Sequence, residues 1–256
     1  MERKIWEIDF DVIGPISIKS NIRFKQEKGF DQHQFYSDIE LSKSSYGFKA
    51  TITAYADTID IAETVAYVYF GRMRDILSLT NDIPIQLNKN EGRFNMTRNF
   101  TSRRILTKSN IITAFNMARK FESEQPKLLR AIGWYSKGKL SHNTFDQFLA
   151  FWNVIEILAK EFHTVTDRTR SGVKNQIYQC FIDYFGEIEN WHLPERWIDS
   201  MYDKRNGIVH GGEDITLEAI NETSKMIPLL EKTSKVLIDK IIDGNYDRSE
   251  FQYLDF

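Results

Sequence analysis

Arg205 and Asn206 stand side by side in the stretch DKRNGIVHGG, and His210 follows four residues after the asparagine, immediately before Gly211 and Gly212. The three side chains suit one kind of chemistry. Arginine is always charged, and its planar fork matches two oxygens of a phosphate at once. Histidine exchanges a proton near neutral pH, and an asparagine amide can donate to an anion or orient a histidine one helical turn further on. Together they could bind a phosphate-like group and move a proton beside it. The same residues also make an ordinary helix end, because a histidine is favoured beside the last carbonyls and glycine supplies the left-handed stop. With five histidines in the chain, an arginine and a histidine five apart do not decide between site and cap.

The element that must position them reads as a helix from Pro194 to His210. Proline fits a first turn, Glu195 complements the positive end of the helix dipole, and Gly211–Gly212 end it. At about 100° per residue, Asp199, Asp203, Asn206 and His210 form a polar stripe, while Trp197, Met201 and Ile208 form a packed one. Arg205 lies about 140° from His210, so it reaches a shared ligand only through its long side chain or if the last turn unwinds. The two aspartates repel phosphate unless Arg205 or Lys204 neutralises them.

Other helices precede and follow. Apolar stripes at three- and four-residue steps mark Ser109–Glu122, Gln125–Lys137, Thr144–Phe162, Gly172–Phe185 and Leu217–Asp243. The first part of the chain reads differently. Lys4–Gly14 alternates Trp6, Ile8, Phe10 and Val12 with Ile5, Glu7, Asp9 and Asp11, and weaker period-two patterns flank a turn at Ser44–Gly47. Then a long helix begins at a cap on Asp57 or Thr58, with Ile61, Val65, Val68, Tyr69 and Met73 at helical spacing. The segment 81–107, with Pro84, Gly92 and many polar residues, reads as strand fragments and a connector. The expected fold is therefore α+β: a small antiparallel sheet with a long helix over 1–107, then an all-α bundle over 108–256.

The helical part carries a resemblance. Arg205–Asn206–x–x–x–His210, with its lead-in WIDSMYDK and trailing glycines, is similar to the signature helix of the HEPN superfamily. Upstream, LLRAIGWYSKGKLSHNTFDQFLAFWNVIEILAKEF resembles the helix pair of Apea-like HEPN domains, with aromatic Trp134–Tyr135, a turn near Gly138 and Glu156 on the second helix. The likeness spans about Ser109 to Asp243 and leaves the sheet uncovered. It implies a HEPN helical bundle acting as a metal-independent endoribonuclease, with Arg205, Asn206 and His210 catalytic and no cofactor. Such cleavage deprotonates a ribose 2′-hydroxyl, stabilises charge on a five-coordinate phosphate and protonates the departing 5′-oxygen. It leaves 2′,3′-cyclic phosphate and 5′-hydroxyl ends, because the ribose itself is the nucleophile. One histidine does not easily serve as both base and acid, and the family commonly pairs two motif helices, so the resemblance implies a homodimer through the helix 194–210. It also suggests a toxin-like or antiviral role and an antitoxin or other regulatory partner, with the amino-terminal part sensing or recognising. The competing class is a non-catalytic module that dimerises or binds a nucleotide or partner protein, His210 being only a helix end.

Two further groups bear on the site. Glu156 could pair with Arg205, pair with another base, or reach solvent, since a buried carboxylate requires a partner. From Gly92 to Phe121 there are seven Lys or Arg and no Asp or Glu, with Phe94 and Phe100 interleaved. Arg93, Arg98, Arg103 and Arg104 could track RNA phosphates while the phenylalanines stack on bases; a solvated basic connector is the plainer reading. Arg168, Arg170 and Lys174 make a smaller basic patch of the same kind.

Composition narrows the rest. The formal net charge of −2 gives no global attraction to nucleic acid. A lone Cys180 permits neither an internal disulfide nor a multi-thiolate zinc site. There is no phosphate-cradling glycine loop, His-Glu-x-x-His, or Gly-x-Ser-x-Gly. The charged start and the want of a long apolar run point to a soluble cytoplasmic protein that does not engage a membrane. His33, His142, His163 and His192 read as surface or capping residues, and Trp134, Tyr135, Phe148, Phe151 and Trp152 as core.

Overall fold

The computed structural model describes residues 4–30, 33–89, 104–212 and 216–252. The chain is an α+β protein with its sheet first and its helices after. Contacts group it into two compact units, one of 1–118 with 251–256 and the other of 119–250.

In the first unit, β1 (Lys4–Ile13) buries Ile8, Phe10 and Val12, as its alternation predicts. It pairs antiparallel with β5 (Gly47–Ala56), which turns Phe48, Ala50, Ile52 and Ala54 to the same side. The hairpin from β4 (His33–Ser44) enters β5 at Gly47, whose φ is +153°. Glycine is required there, because a β-carbon would stand 2.0 Å from the Val12 carbonyl oxygen. With β3 (Ile22–Phe30) and β6 (Gln86–Lys89) the sheet has the order β3-β4-β5-β1-β6. Two short strands, β2 (Ile16–Ile18) and β7 (Arg104–Leu106), pair in parallel beside it.

The long helix α1 (Ile59–Asn81) is capped by Thr58, whose hydroxyl oxygen accepts from the Ile61 amide. Its buried stripe differs from the expected one. Ala62, Ala66, Tyr69, Phe70 and Met73 face the core, while Ile61 and Val68 are 43% and 39% exposed. Apolar residues occupy two adjacent faces of this helix, and periodicity alone does not choose between them. The face with small alanines admits close approach to a sheet, and it places Phe70 against Phe10, with ring centroids 6.2 Å apart.

Helix α2 (Lys108–Glu124) lies in part in each unit. In the first, Phe115 packs on Phe24, Tyr69 and Phe70. The second unit holds α3 (Pro126–Leu140), α4 (Thr144–Phe162), α5 (Val173–Phe185), α6 (Trp197–Val209) and α7 (Leu217–Asn245). Helix α4 is its centre and touches all four of the others. Phe148, Phe151, Trp152, Val154, Ile155 and Leu158 are fully buried along it. Asn143 caps its start by accepting from the Phe145 and Asp146 amides.

The turn expected near Gly138 comes just after it, where α3 ends at Leu140. The missing side chain of Gly138 makes room for the neighbouring helix, since a β-carbon would sit 2.6 Å from a ring carbon of Phe151. One expected boundary needs correction: α6 does not begin at Pro194. The Pro194 carbonyl accepts from the Trp197 amide in a tight turn, and Arg196 takes a left-handed φ of 54°, so helical geometry starts only at Trp197.

The α3–α4 approach yields a test. Gly138→Ala should lower the unfolding free energy in urea by about 1–3 kcal/mol through overpacking against Phe151, although alanine is intrinsically the better helix former by about 1 kcal/mol. A stabilised variant would mean that the two helices are not in close contact there.

Candidate functional site

Helix α6 carries the polar triplet and α4 supplies the group that holds it. Trp152 and Glu156 are one turn apart on α4 and share a face. Trp152 is fully buried, and its indole N–H donates to Glu156 Oε1 at 2.7 Å. The same carboxylate oxygen faces Arg205 Nε at 3.3 Å, with the two side chains 19% and 26% exposed. Of the alternatives open for Glu156, the structure has the pairing with Arg205. That contact is an ion pair without hydrogen-bond alignment, because the buried Nε makes no hydrogen bond.

Arg205 reaches onward as well. Its Nη1 donates to Asn206 Oδ1 at 3.1 Å, which leaves the Asn206 NH2 as the free donor end of that amide. The remaining guanidinium nitrogen, Nη2, makes no hydrogen bond among the described residues. Arg205, Asn206 and Glu156 are thus brought together.

His210 stands at the exposed end of the helix. Its amide donates to the Asn206 carbonyl at 3.0 Å, its φ of −93° closes the last turn, and Gly211 at φ 68° turns the chain away. The Gly212 amide then returns to the Gly207 carbonyl at 3.0 Å. This is good capping chemistry, and it leaves the imidazole exposed, with no hydrogen bond from its ring among the described residues. Cap and available imidazole coexist.

The aspartates of the polar stripe are handled differently from expectation. Asp199 is neutralised neither by Arg205 nor by Lys204 but from α5: Lys174 Nζ lies 3.0 Å away and the Tyr178 hydroxyl donates at 3.1 Å, with Arg196 at 3.6 Å. Hydrogen bonding from Lys174 above all, then from Tyr178, holds the Asp199 carboxyl below the usual carboxylate range. Burial, with help from the adjacent carboxylate, pushes the Tyr178 hydroxyl up. Lys174 also lies 5.0 Å from the Tyr202 ring centroid, one turn before Asn206 on α6. Of the packed stripe, Trp197 and Met201 are buried as expected, but Ile198 and not Ile208 completes it.

Elsewhere, Arg104 is exposed on β7, while Arg93, Arg98 and Arg103 fall outside the described residues. Cys180 is buried, and its thiol is pushed up to about 12 by loss of solvent, so it is no thiolate nucleophile near neutrality. Among the described residues no group of three His, Cys, Asp or Glu side chains is placed to hold a metal ion. No helix among them is long and apolar enough to cross a membrane.

Sequence reasoning assigned Trp152 to the core and missed the use of its N–H. The signal was present: a tryptophan four residues before a glutamate on one helix face, on a stripe otherwise apolar. No family model, curated protein or solved structure matches this chain.

The Asp199 cluster makes a pH prediction. A carboxyl lowered in the folded state contributes stability that is present above its unfolded value of about 4 and is lost as pH falls through the lowered folded value. Thermal melts should therefore find Asp199→Asn less stable than the parent at pH 7, with the gap closing as the pH is taken below the ordinary carboxylate range. A gap that does not change with pH would show that Lys174 and Tyr178 do not favour the ionised form.

Proposed function

We propose that the chain is a metal-independent endoribonuclease of the HEPN type. The observation that carries this reading is the Arg205 guanidinium, held by Glu156 on one side and bonded to Asn206 on the other, on the helix that ends in the exposed imidazole of His210. The chemistry follows from those groups. The imidazole takes the proton of a ribose 2′-hydroxyl, the 2′-oxygen bonds to phosphorus, and the P–O5′ bond breaks as the 5′-oxygen gains a proton. Arg205, through its unengaged Nη2, and the Asn206 NH2 stabilise the charge that develops on the phosphoryl oxygens. The products are a 2′,3′-cyclic phosphate and a 5′-hydroxyl end. A second copy of the chain, packed along α6, supplies the other imidazole as acid. Arg104, with Arg93, Arg98 and Arg103, serves as backbone contacts for RNA. In biological terms this is an antiviral or toxin-like activity, restrained by a regulatory partner.

A second reading rests on a different observation. Val209, at the same helix end, is 48% exposed, and Leu217, the first residue of α7, is 81% exposed. Exposed apolar side chains there suit a non-catalytic docking or dimerisation surface.

Cleavage of RNA in EDTA separates the two. The parent should cut, and His210→Ala and Arg205→Ala should each lose at least about 100-fold in rate, with mapped fragments ending in cyclic phosphate. Intact RNA in all three reactions, with dimerisation or ligand binding retained, would favour the docking module.

A further inference from the structure

We propose that Trp152 is a positioning residue for Arg205, acting through Glu156; this rests on the ribonuclease reading. The indole N–H is buried and commits to one acceptor, Glu156 Oε1, at 2.7 Å. That oxygen is also the one facing Arg205 Nε at 3.3 Å, but the guanidinium contact is not aligned as a hydrogen bond. Arg205 therefore does not set the direction of the carboxylate. Trp152 does, because a hydrogen bond is directional and an ion pair at this distance is not.

Three consequences follow from fixing that oxygen. The guanidinium is drawn toward α4 by its Nε edge. Its Nη1 is used on Asn206 Oδ1, at 3.1 Å. Nη2 makes no hydrogen bond among the described residues, and it is the nitrogen that can turn to a phosphoryl oxygen. The indole also packs between Trp197 and Tyr202 of α6, each 6.5 Å away by ring centroids, so one side chain sets both the spacing of the two helices and the direction of the acceptor between them. Without the N–H, the packing can survive while the carboxylate turns and Arg205 loses its anchor. A positioned arginine matters more to the transition state than to substrate binding, so the loss falls on kcat.

The test uses the full chain labelled with nitrogen-15 and two substitutions at one position. Trp152→Phe removes the N–H together with some volume. Replacement of Trp152 by 3-benzothienylalanine keeps the bicyclic shape and removes only the N–H, and it is the deciding variant if Trp152→Phe does not fold. Trp197→Phe is the packing control. Solvent exchange of the Arg205 Nε–H, read by NMR, should quicken about tenfold in both Trp152 variants and not in Trp197→Phe. With RNA as substrate, kcat should fall about tenfold while KM moves less than about threefold. In a Glu156→Gln background, removing the indole N–H should cost little further, because both changes act through one carboxylate. Unchanged Arg205 exchange, equal quickening in Trp197→Phe, or full additivity with Glu156→Gln would each overturn the proposal. Quickened exchange in a protein whose parent leaves RNA intact would uphold the positioning by Trp152 and defeat the ribonuclease reading instead.

Discussion

Trp152 is enclosed on α4, and a polar hydrogen buried there must find an acceptor or cost roughly 1–3 kcal/mol. Glu156, one turn along, is that acceptor. A partly buried carboxylate in turn demands positive charge, and Arg205 on the neighbouring helix answers it. From this single requirement the arrangement on α6 unfolds. Arg205 is tied at its Nε edge, Asn206 is turned by Nη1, and the end of the helix with His210 keeps a fixed relation to both because all three share one rigid element. The bundle core and the polar triplet are thus joined by one indole.

The electrostatics of α6 follow the same economy of partners. Asp199 is matched by Lys174, Tyr178 and Arg196, so the negative charge at the amino-terminal end of the stripe is already compensated within the unit. Asp203, between it and Asn206, is exposed to solvent, where its field is screened. A negatively charged ligand near Asn206 and His210 would meet less repulsion than the sequence alone implies.

Much of this was legible in the residues. Thr144–Phe162 is a helix with the predicted limits, because Asn143 is a strong cap and the apolar stripe that follows is unbroken. Thr58 is likewise the cap of α1. What failed did so for identifiable reasons. Pro194 fits a first helical turn but also fits the tight turn it makes, and the left-handed Arg196 that separates it from α6 has no mark in the sequence. Gly138 marks the nearby turn, but the room it makes for Phe151 across a helix pair has no mark in the sequence. Strand β3 shows only Ile22 and Phe24 as an apolar alternation, and it took the pairing with β4 to define it. For the site, residue types and spacing picked out Arg205, Asn206 and His210. The pairing of Glu156 with Arg205 was one option among three, and the part taken by Trp152 was hidden because an aromatic residue on an apolar stripe reads as core.

The central chemical claim is that the ribose, and not water, attacks the phosphorus beside His210. An RNA oligonucleotide with one 2′-deoxy nucleotide on the 5′ side of its preferred cleavage position, incubated with the protein in EDTA, measures this directly. The account predicts that this linkage stays whole while unmodified ribose linkages elsewhere in the strand are still cut. Cutting at the deoxy-substituted linkage would contradict it, because the nucleophile would then have to come from outside the RNA.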